Sequence, residues 1–533
     1  MGGSPSLNSR VPEITGSVQH DTRLVTILNS KEVELFMTTF IIGLIILVVG
    51  GTFYGKFCSK IMGPDDRKTP AYTKTDGVDY VPMKTWKTTL INLLNIAGTG
   101  PVLGPIQGIL FGPIAFLIIP IGCVLGGAVH DYFTGMISLR NDGEQMPGLI
   151  KRFTNKGVYN LYMGFVCILM LLVGTVFIYT PGDIAATQVF GFSGAPSAIS
   201  TWVIYAVIFV YYIIATLFPI DAIIGRIYPI FGGLLILSAV GIFFGILFGG
   251  YTLNNVVFSG PNANWMGIHP SAGLIPIFFI TVACGIVSGF HATQTCIISR
   301  SVTNEKQGRT TFFNMMIVEG FIGMIWAAGA MAVMNALKAD ASTVATTVVG
   351  IVCKDMLGPI GGTLAILGVI VLPITSGDTA LRGLRLMLAE YLHIDQKPRI
   401  NRLKVSLPTF AVVAAILIWA KMSPAGFTIL WRYFAWSNQT IAVFAFGIIS
   451  IYLLGKGHSR AFLMPLIPGM WYAFITISYI SSATIGFNLP MNIAYIVGVL
   501  AALIYAFLIF RQGTAMQSGS NLLLEAEPVY SKA

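Results

Sequence analysis

The chain of 533 residues is 55% hydrophobic and only 10% charged, with a mean hydropathy of +0.77. A soluble domain carries about 25% charged residues, so this composition excludes a water-surrounded globule and makes the bilayer its solvent. The net charge of +10, which in a soluble protein suggests nucleic acid, reads here as basic cytoplasmic loops, and no nucleic-acid partner is expected.

In chain order, a polar tail over 1–36 precedes an apolar run from Met37. That run lies too far in for a cleavable leader and reads as a retained helix over 37–54. A polar loop over 55–84 follows. Apolar segments then lie near 86–110, 112–139, 157–180, 200–218, 227–249, 272–298, 311–336, 360–391, 406–421, 428–453, 461–482 and 489–511. With the first helix they make about thirteen spans of about 20 apolar residues, an all-α polytopic membrane protein. A polar tail over 512–533 ends the chain.

Charge tests this count. If the 55–84 loop is cytoplasmic and each segment crosses once, 25 of the 32 Lys and Arg residues fall on the cytoplasmic side. Only Arg10, Arg23, Lys31, Lys338, Lys354, Lys421 and Arg432 fall outside. The positive-inside rule therefore places the N-terminus outside and the C-terminus in the cytoplasm.

An internal repeat appears in the same pattern. The segments at 86–110 and 272–298 are the most interrupted by glycine: Asn95-Ile-Ala-Gly-Thr-Gly-Pro-Val-Leu-Gly104 and Ala283-Cys-Gly-Ile-Val-Ser-Gly-Phe-His-Ala-Thr-Gln294. The segments after them start near 112 and 311, then 157 and 360, then 227 and 428. Five crossings separate each pair, so a five-helix unit over 85–249 and a second over 272–453 are inverted in the membrane. The helix over 37–54 precedes them, and two more, over 461–511, follow. Arg226 and Arg432 are expected at similar depths on opposite faces. Interrupted spans at matching positions of two halves are the best sequence pointer to a transporter's binding site.

Physics says what such breaks can do. Backbone in lipid must bond internally, so an unwound stretch survives only within protein or beside a cavity. Gly98, Gly100, Pro101 and Gly104 disfavour a straight helix in one span, Gly285 and Gly289 in the other. Each break frees a half-helix N-terminus suited to an anion and carbonyls suited to a cation. Asn95, Gly98, Thr99, Gly100, Ser288, Gly289, His291, Thr293 and Gln294 are the candidate substrate-binding residues. The alternative is close helix packing through small residues.

Polar groups elsewhere in the spans are costly without a role or a partner. Thr375, Ser376 and Asp378 lie near the middle of the 360–391 span, and His130 and Asp131 lie well inside theirs. With Ala97 they form the candidate set for coupling to a cation or proton. An ion pair of Asp378 with Arg382 or Arg385 would instead be structural, and Glu319 and His130–Asp131 face the same ambiguity. Cys123, Cys167, Cys284 and Cys296 sit in apolar runs and read as small buried hydrophobes. No zinc-protease, serine-hydrolase or phosphate-loop motif appears. No enzyme activity, catalytic residue or organic cofactor is expected, the metal content is left open, and ion gradients are the expected energy source.

The motifs now carry a resemblance. Residues 95–105, Gly127-Ala-Val-His-Asp-Tyr-Phe, Ser-Leu-Arg-Asn-Asp-Gly at 138–143, Ser-Gly-Phe-His-Ala-Thr-Gln at 288–294, Asn-Glu-Lys-Gln-Gly-Arg at 304–309, Pro-Ile-Thr-Ser-Gly-Asp-Thr-Ala at 373–380 and Trp-Arg-Tyr-Phe-Ala-Trp-Ser-Asn-Gln-Thr at 431–440 occur in order. Together, over roughly 40–480, they resemble the carbon starvation protein A family of bacterial inner-membrane carriers. The resemblance implies a leucine-transporter-like five-plus-five inverted repeat, and uptake of peptides or a small carboxylate such as pyruvate during nutrient starvation. The family's longest members continue beyond the thirteenth span, where this sequence stops. The Thr-Ser-Gly-Asp-Thr run is also similar to a sodium-site stretch of related carriers. It implies a cation held by Thr375 and Ser376 with the carbonyls near Ala97 and Gly98, with sodium or a proton as the coupling ion.

The expected function is thus cation symport, with protons favoured by the carboxylates and histidines in the spans. A passive channel would show repeated filter motifs. A nutrient sensor would carry a soluble output domain of at least about 50 residues, and no loop approaches that. The expected partners are the lipid bilayer and a small-molecule or peptide substrate; oligomeric state is left open.

Overall fold

The computed structural model describes residues 37–77, 79–217, 220–265, 273–337, 345–396 and 398–518, with side chains of 217, 220–229, 231 and 336–337 excepted. The expected N-terminal tail, residues 519–533 of the C-terminal one, Lys338 and the Arg226 side chain lie outside the described residues, as do Arg10, Arg23 and Lys31, while the last helix runs to Gln517, six residues into the expected tail. All regular structure among the described residues is helical.

The helices are α1 (Thr38–Met62), α2 (Thr85–Ile96), α3 (Gly100–Gly108), α4 (Ala115–Arg140), α5 (Met146–Phe153), α6 (Lys156–Val189), α7 (Ile199–Leu217) and α8 (Ile220–Phe248). They continue with α9 (Ile277–Thr281), α10 (Gly289–Ser299), α11 (Asn314–Leu337), α12 (Ala345–Tyr391), α13 (Arg399–Met422), α14 (Gly426–Gly455), α15 (Leu463–Ser482) and α16 (Met491–Gln517). Ten helices among the described residues are long and apolar enough to cross a membrane, and the bent pair α2–α3 makes an eleventh. The expected span over 227–249 falls on α8, a helix of 29 residues whose side chains are described throughout only from Gly232 on. The 272–298 segment is cut into α9 and α10, each too short to cross alone.

Boundaries shift where apolarity is a poor guide. Helix α1 runs to Met62, eight residues into the expected loop, and stops at Gly63 in a left-handed turn (φ 59°). Helix α12 begins at Ala345 rather than 360 and kinks at Gly358 (φ 68°).

Burial sorts the helices by depth in the bundle. The most apolar window of α11 is 83% buried, against 22% for α16. On α16, Ile496, Leu500, Ile504 and Phe507 are exposed, as are Val203, Val207 and Val210 on α7. Apolar faces on this scale are stable against lipid and not against water. Inside, α12 packs along α6 and α8, while α11 packs against α3, and α10 against α4 and α14. These central helices converge on the two interrupted segments.

Candidate functional site in the broken helices

Helix α2 ends at Ile96 because Ala97 leaves helical geometry (φ −82°, ψ 65°). The chain restarts at Gly100, and the two halves are bent by 46°. The second interruption is longer: α9 ends at Thr281, Val282 turns away (ψ 71°), and α10 starts only after Ser288 (φ −137°, ψ 121°). The first break, 97–99, begins one residue before Gly98 and is over by Gly100, so Pro101 and Gly104 lie inside α3; the second, 282–288, begins three residues before Gly285. The two breaks lie against each other. A Cβ on Gly100 would strike the Cys284 side chain, and one on Gly104 would come 3.3 Å from the Thr281 carbonyl oxygen.

The start of α10 is capped from another helix. Asn438 Oδ1 on α14 accepts from the Phe290 N–H (2.8 Å) and the Ser288 hydroxyl (3.1 Å). The approach needs glycine at 289, whose missing Cβ would otherwise strike the Asn438 carbonyl oxygen.

A buried polar cluster sits beside the second break. Helix α4 reaches it because Gly127 has no side chain and lies against the Ile286 carbonyl. One turn further along, His130 Nδ1 is 2.8 Å from Asp131 Oδ1, and His291 Nδ1 on α10 is 3.0 Å from Asp131 Oδ2. The opposite nitrogen, His291 Nε2, faces Glu319 Oε1 of α11 at 3.6 Å. Cys284 adds its sulfur: its Sγ, a His291 ring nitrogen and a Glu319 oxygen all lie within 4.8 Å of one another. All five side chains are buried. A buried carboxylate needs partners, and Asp131 has one on each oxygen. His291 Nε2 and both Glu319 oxygens have no hydrogen-bond partner.

The remaining sequence candidates divide. Asn95 and Thr99 are buried at the first break with side-chain polar atoms that make no hydrogen bond, so they have bonding capacity to spare. Ala97 is the residue that closes α2, and Gly98 packs against the Phe177 ring. Ser376 donates to the Leu94 carbonyl (2.8 Å), which ties α12 to the end of α2 just before that break. Thr375 and Thr293 donate to carbonyls of their own helices, Leu372 (2.7 Å) and Phe290 (2.7 Å). Gln294 Nε2 donates to Thr293, leaving its buried Oε1 without a partner. Asp378 stands elsewhere: its nearest cation is Arg382 Nη2 at 3.9 Å, one turn along the same helix. Arg385 donates to Gln396 instead.

Two residues escaped the sequence reading. In sequence Cys284 reads as one more buried cysteine, though it precedes His291 within one Gly-rich segment. Asn438 lies within the 431–440 motif, and no local pattern marks its role, because that role depends on a helix 150 residues away in sequence.

Three stretches that overlap to cover most of the chain, 36–191, 186–355 and 328–479, match the family model described as carbon starvation protein CstA. The chain belongs to the CstA family. It is 41% identical over 335 residues to an uncharacterized membrane protein of Haemophilus influenzae, a match covering 55% of this chain and 90% of that one. It is 24% identical over 537 residues to the Bacillus subtilis peptide transporter CstA, covering 83% of this chain and 89% of that one. It is 25% identical over 348 residues to the Escherichia coli pyruvate/proton symporter BtsT, covering 52% of this chain but 47% of that one. Among solved structures, a manganese transporter of Eremococcus coleocola superposes with TM-score 0.55 at 12% identity, covering 83% of this chain and 99% of the other. At that identity the likeness speaks for the fold: this family member is built like a membrane transporter.

Proposed function

We propose that the chain is a secondary active importer that takes up a small carboxylate such as pyruvate, or short peptides, by proton symport during nutrient starvation. Family relatives named as a peptide transporter and a pyruvate/proton symporter support the substrate class. The architecture in this reading is the leucine-transporter-like inverted repeat, with units at 85–249 and 272–453, one helix before them and two after. The N-terminus is outside and the C-terminus in the cytoplasm of a bacterial inner membrane.

The observation that carries the proposal is the carboxylate of Asp131 gripped by two histidines beside two facing helix breaks. The breaks offer half-helix N-termini near Gly100 and Gly289 for a substrate carboxylate. Asn95, Thr99 and Gln294 supply buried polar atoms without partners to orient it. Coupling needs a group whose proton content differs between outward- and inward-open states. Asp131, with His130 and His291, is that group, since alternating access would move α10 against α4. A cation at Thr375, Ser376 and the carbonyls near Ala97 and Gly98 is the sodium version of the reading. The contact of Ser376 with the end of α2 favours it.

The test is uptake of labelled pyruvate and of di- and tripeptides into proteoliposomes, under separate proton and sodium gradients. Accumulation above equilibrium under a proton gradient alone is expected. Accumulation only under sodium would move the coupling to Thr375 and Ser376. Equilibration without accumulation under either would mean a passive pathway.

A further inference from the structure

We propose that Cys284, His291 and Glu319 form a binding site for a divalent transition-metal ion of the zinc class. The assignment does not rest on the transport reading. Its basis is a donor set of one sulfur, one imidazole nitrogen and one carboxylate oxygen within 4.8 Å of one another. Metal–ligand bonds of about 2.0–2.3 Å place neighbouring ligands of a tetrahedral site about 3.3–3.6 Å apart. One edge of this triangle, His291 Nε2 to Glu319 Oε1, is 3.6 Å. That is too long for a hydrogen bond and suited to two ligands sharing an ion.

Three further observations point the same way. His291 Nε2 and both Glu319 oxygens are fully buried with no hydrogen-bond partner, a costly arrangement unless something satisfies them. The other His291 nitrogen is held by Asp131 at 3.0 Å. A carboxylate there keeps the proton on Nδ1 and turns the Nε2 lone pair toward the site, the usual support for a metal-binding histidine. Charge also balances: a thiolate and a carboxylate neutralise a dication in this buried site. The soft sulfur and imidazole select zinc, cobalt or iron over magnesium or calcium. Three protein ligands leave one coordination position open.

Binding would release the thiol proton of Cys284 and leave the His291–Asp131 contact intact. It would join the second break to α11 through one ion.

The test uses the full chain purified in detergent without chelators. After equilibration with Zn²⁺ and desalting, elemental analysis should find about one zinc per chain. Cys284→Ala and Glu319→Gln should each reduce retention by about tenfold or more. Cys123→Ala, a neighbouring buried cysteine outside the triad, should retain it. Loading with Co²⁺ should give a thiolate-to-cobalt charge-transfer band and the strong visible bands of a four-coordinate ion, both lost in Cys284→Ala. If a variant does not elute as a single species, the wild-type cobalt spectrum decides alone. Wild-type retention below about a tenth of an ion per chain, zinc held equally by folded Cys284→Ala, or a cobalt spectrum without the sulfur band would each overturn the proposal.

Discussion

Nδ1 of His291 lies 3.0 Å from Oδ2 of Asp131, across 160 residues of sequence and between two different helices. The contact joins the helix after the second break to α4. A proton shared there is sensitive to any movement of one helix against the other.

Asp131→Asn keeps the shape of the side chain and removes its charge. The variant is expected to exchange substrate across proteoliposomes but not to concentrate it under a proton gradient. Undiminished proton-driven accumulation would take Asp131 out of coupling.

Asp378 belongs to a different test. It faces Arg382 at 3.9 Å within one helix, a charge contact without a hydrogen bond to either Asp378 oxygen, and both residues are buried. Removing one member of a buried ion pair costs about 3–5 kcal/mol because the other charge is stranded. Asp378→Asn should therefore lower the melting temperature while the folded fraction still accumulates substrate under a proton gradient. A double-mutant cycle with Arg382→Met should show strong coupling in stability. A fully stable Asp378→Asn that fails to accumulate would instead make Asp378 the coupling group.

Gly289 and Gly383 give a matched pair. A Cβ at 289 would strike the Asn438 carbonyl and the Ala442 N–H, backbone that cannot swing aside, whereas one at 383 would meet only Ile297 Cδ1 at 3.5 Å. Gly289→Ala should cost about 1–3 kcal/mol, an overpacking penalty, and Gly383→Ala should be nearly neutral. Thermal melts of the two purified variants measure the difference, and equal melts would mean that α10 and α14 do not approach this closely.

Glu305 anchors the loops at the end of α4. Its two oxygens accept from Arg140 Nε (3.0 Å) and Nη2 (2.9 Å), and Oε2 accepts from the Asp65 N–H (3.2 Å). Glu305 is fully buried, so salt should not screen the pair. Glu305→Gln should lose about 3 kcal/mol or more, with the same fall in melting temperature at low and high salt. A loss that vanishes in high salt would mark the pair as solvent-exposed.

The break segments were legible in sequence because Gly and Pro act locally: Gly98, Gly100, Pro101, Gly285 and Gly289 all lie within or at the edge of them. The extent of the breaks was not. Ala97 and Val282 leave helical geometry although neither is a helix breaker, because the breaks pack on each other and on neighbouring helices. The starts of most spans were legible from apolar runs. The start of α12 at Ala345 was not, since hydropathy does not mark the Gly358 kink.

By itself the sequence determined that this protein lives in a membrane, where its spans run and which two of them are interrupted. Those properties follow from composition and from residues acting on their own backbone. Tertiary structure alone decided which polar residues meet. His130, Asp131 and His291 come together with Glu319 and Cys284 because Gly127 lets α4 touch the second break, while Asp378 turns to Arg382 within its own helix. Pairing of buried polar groups depends on distances between helices, and no local pattern in the chain encodes those distances.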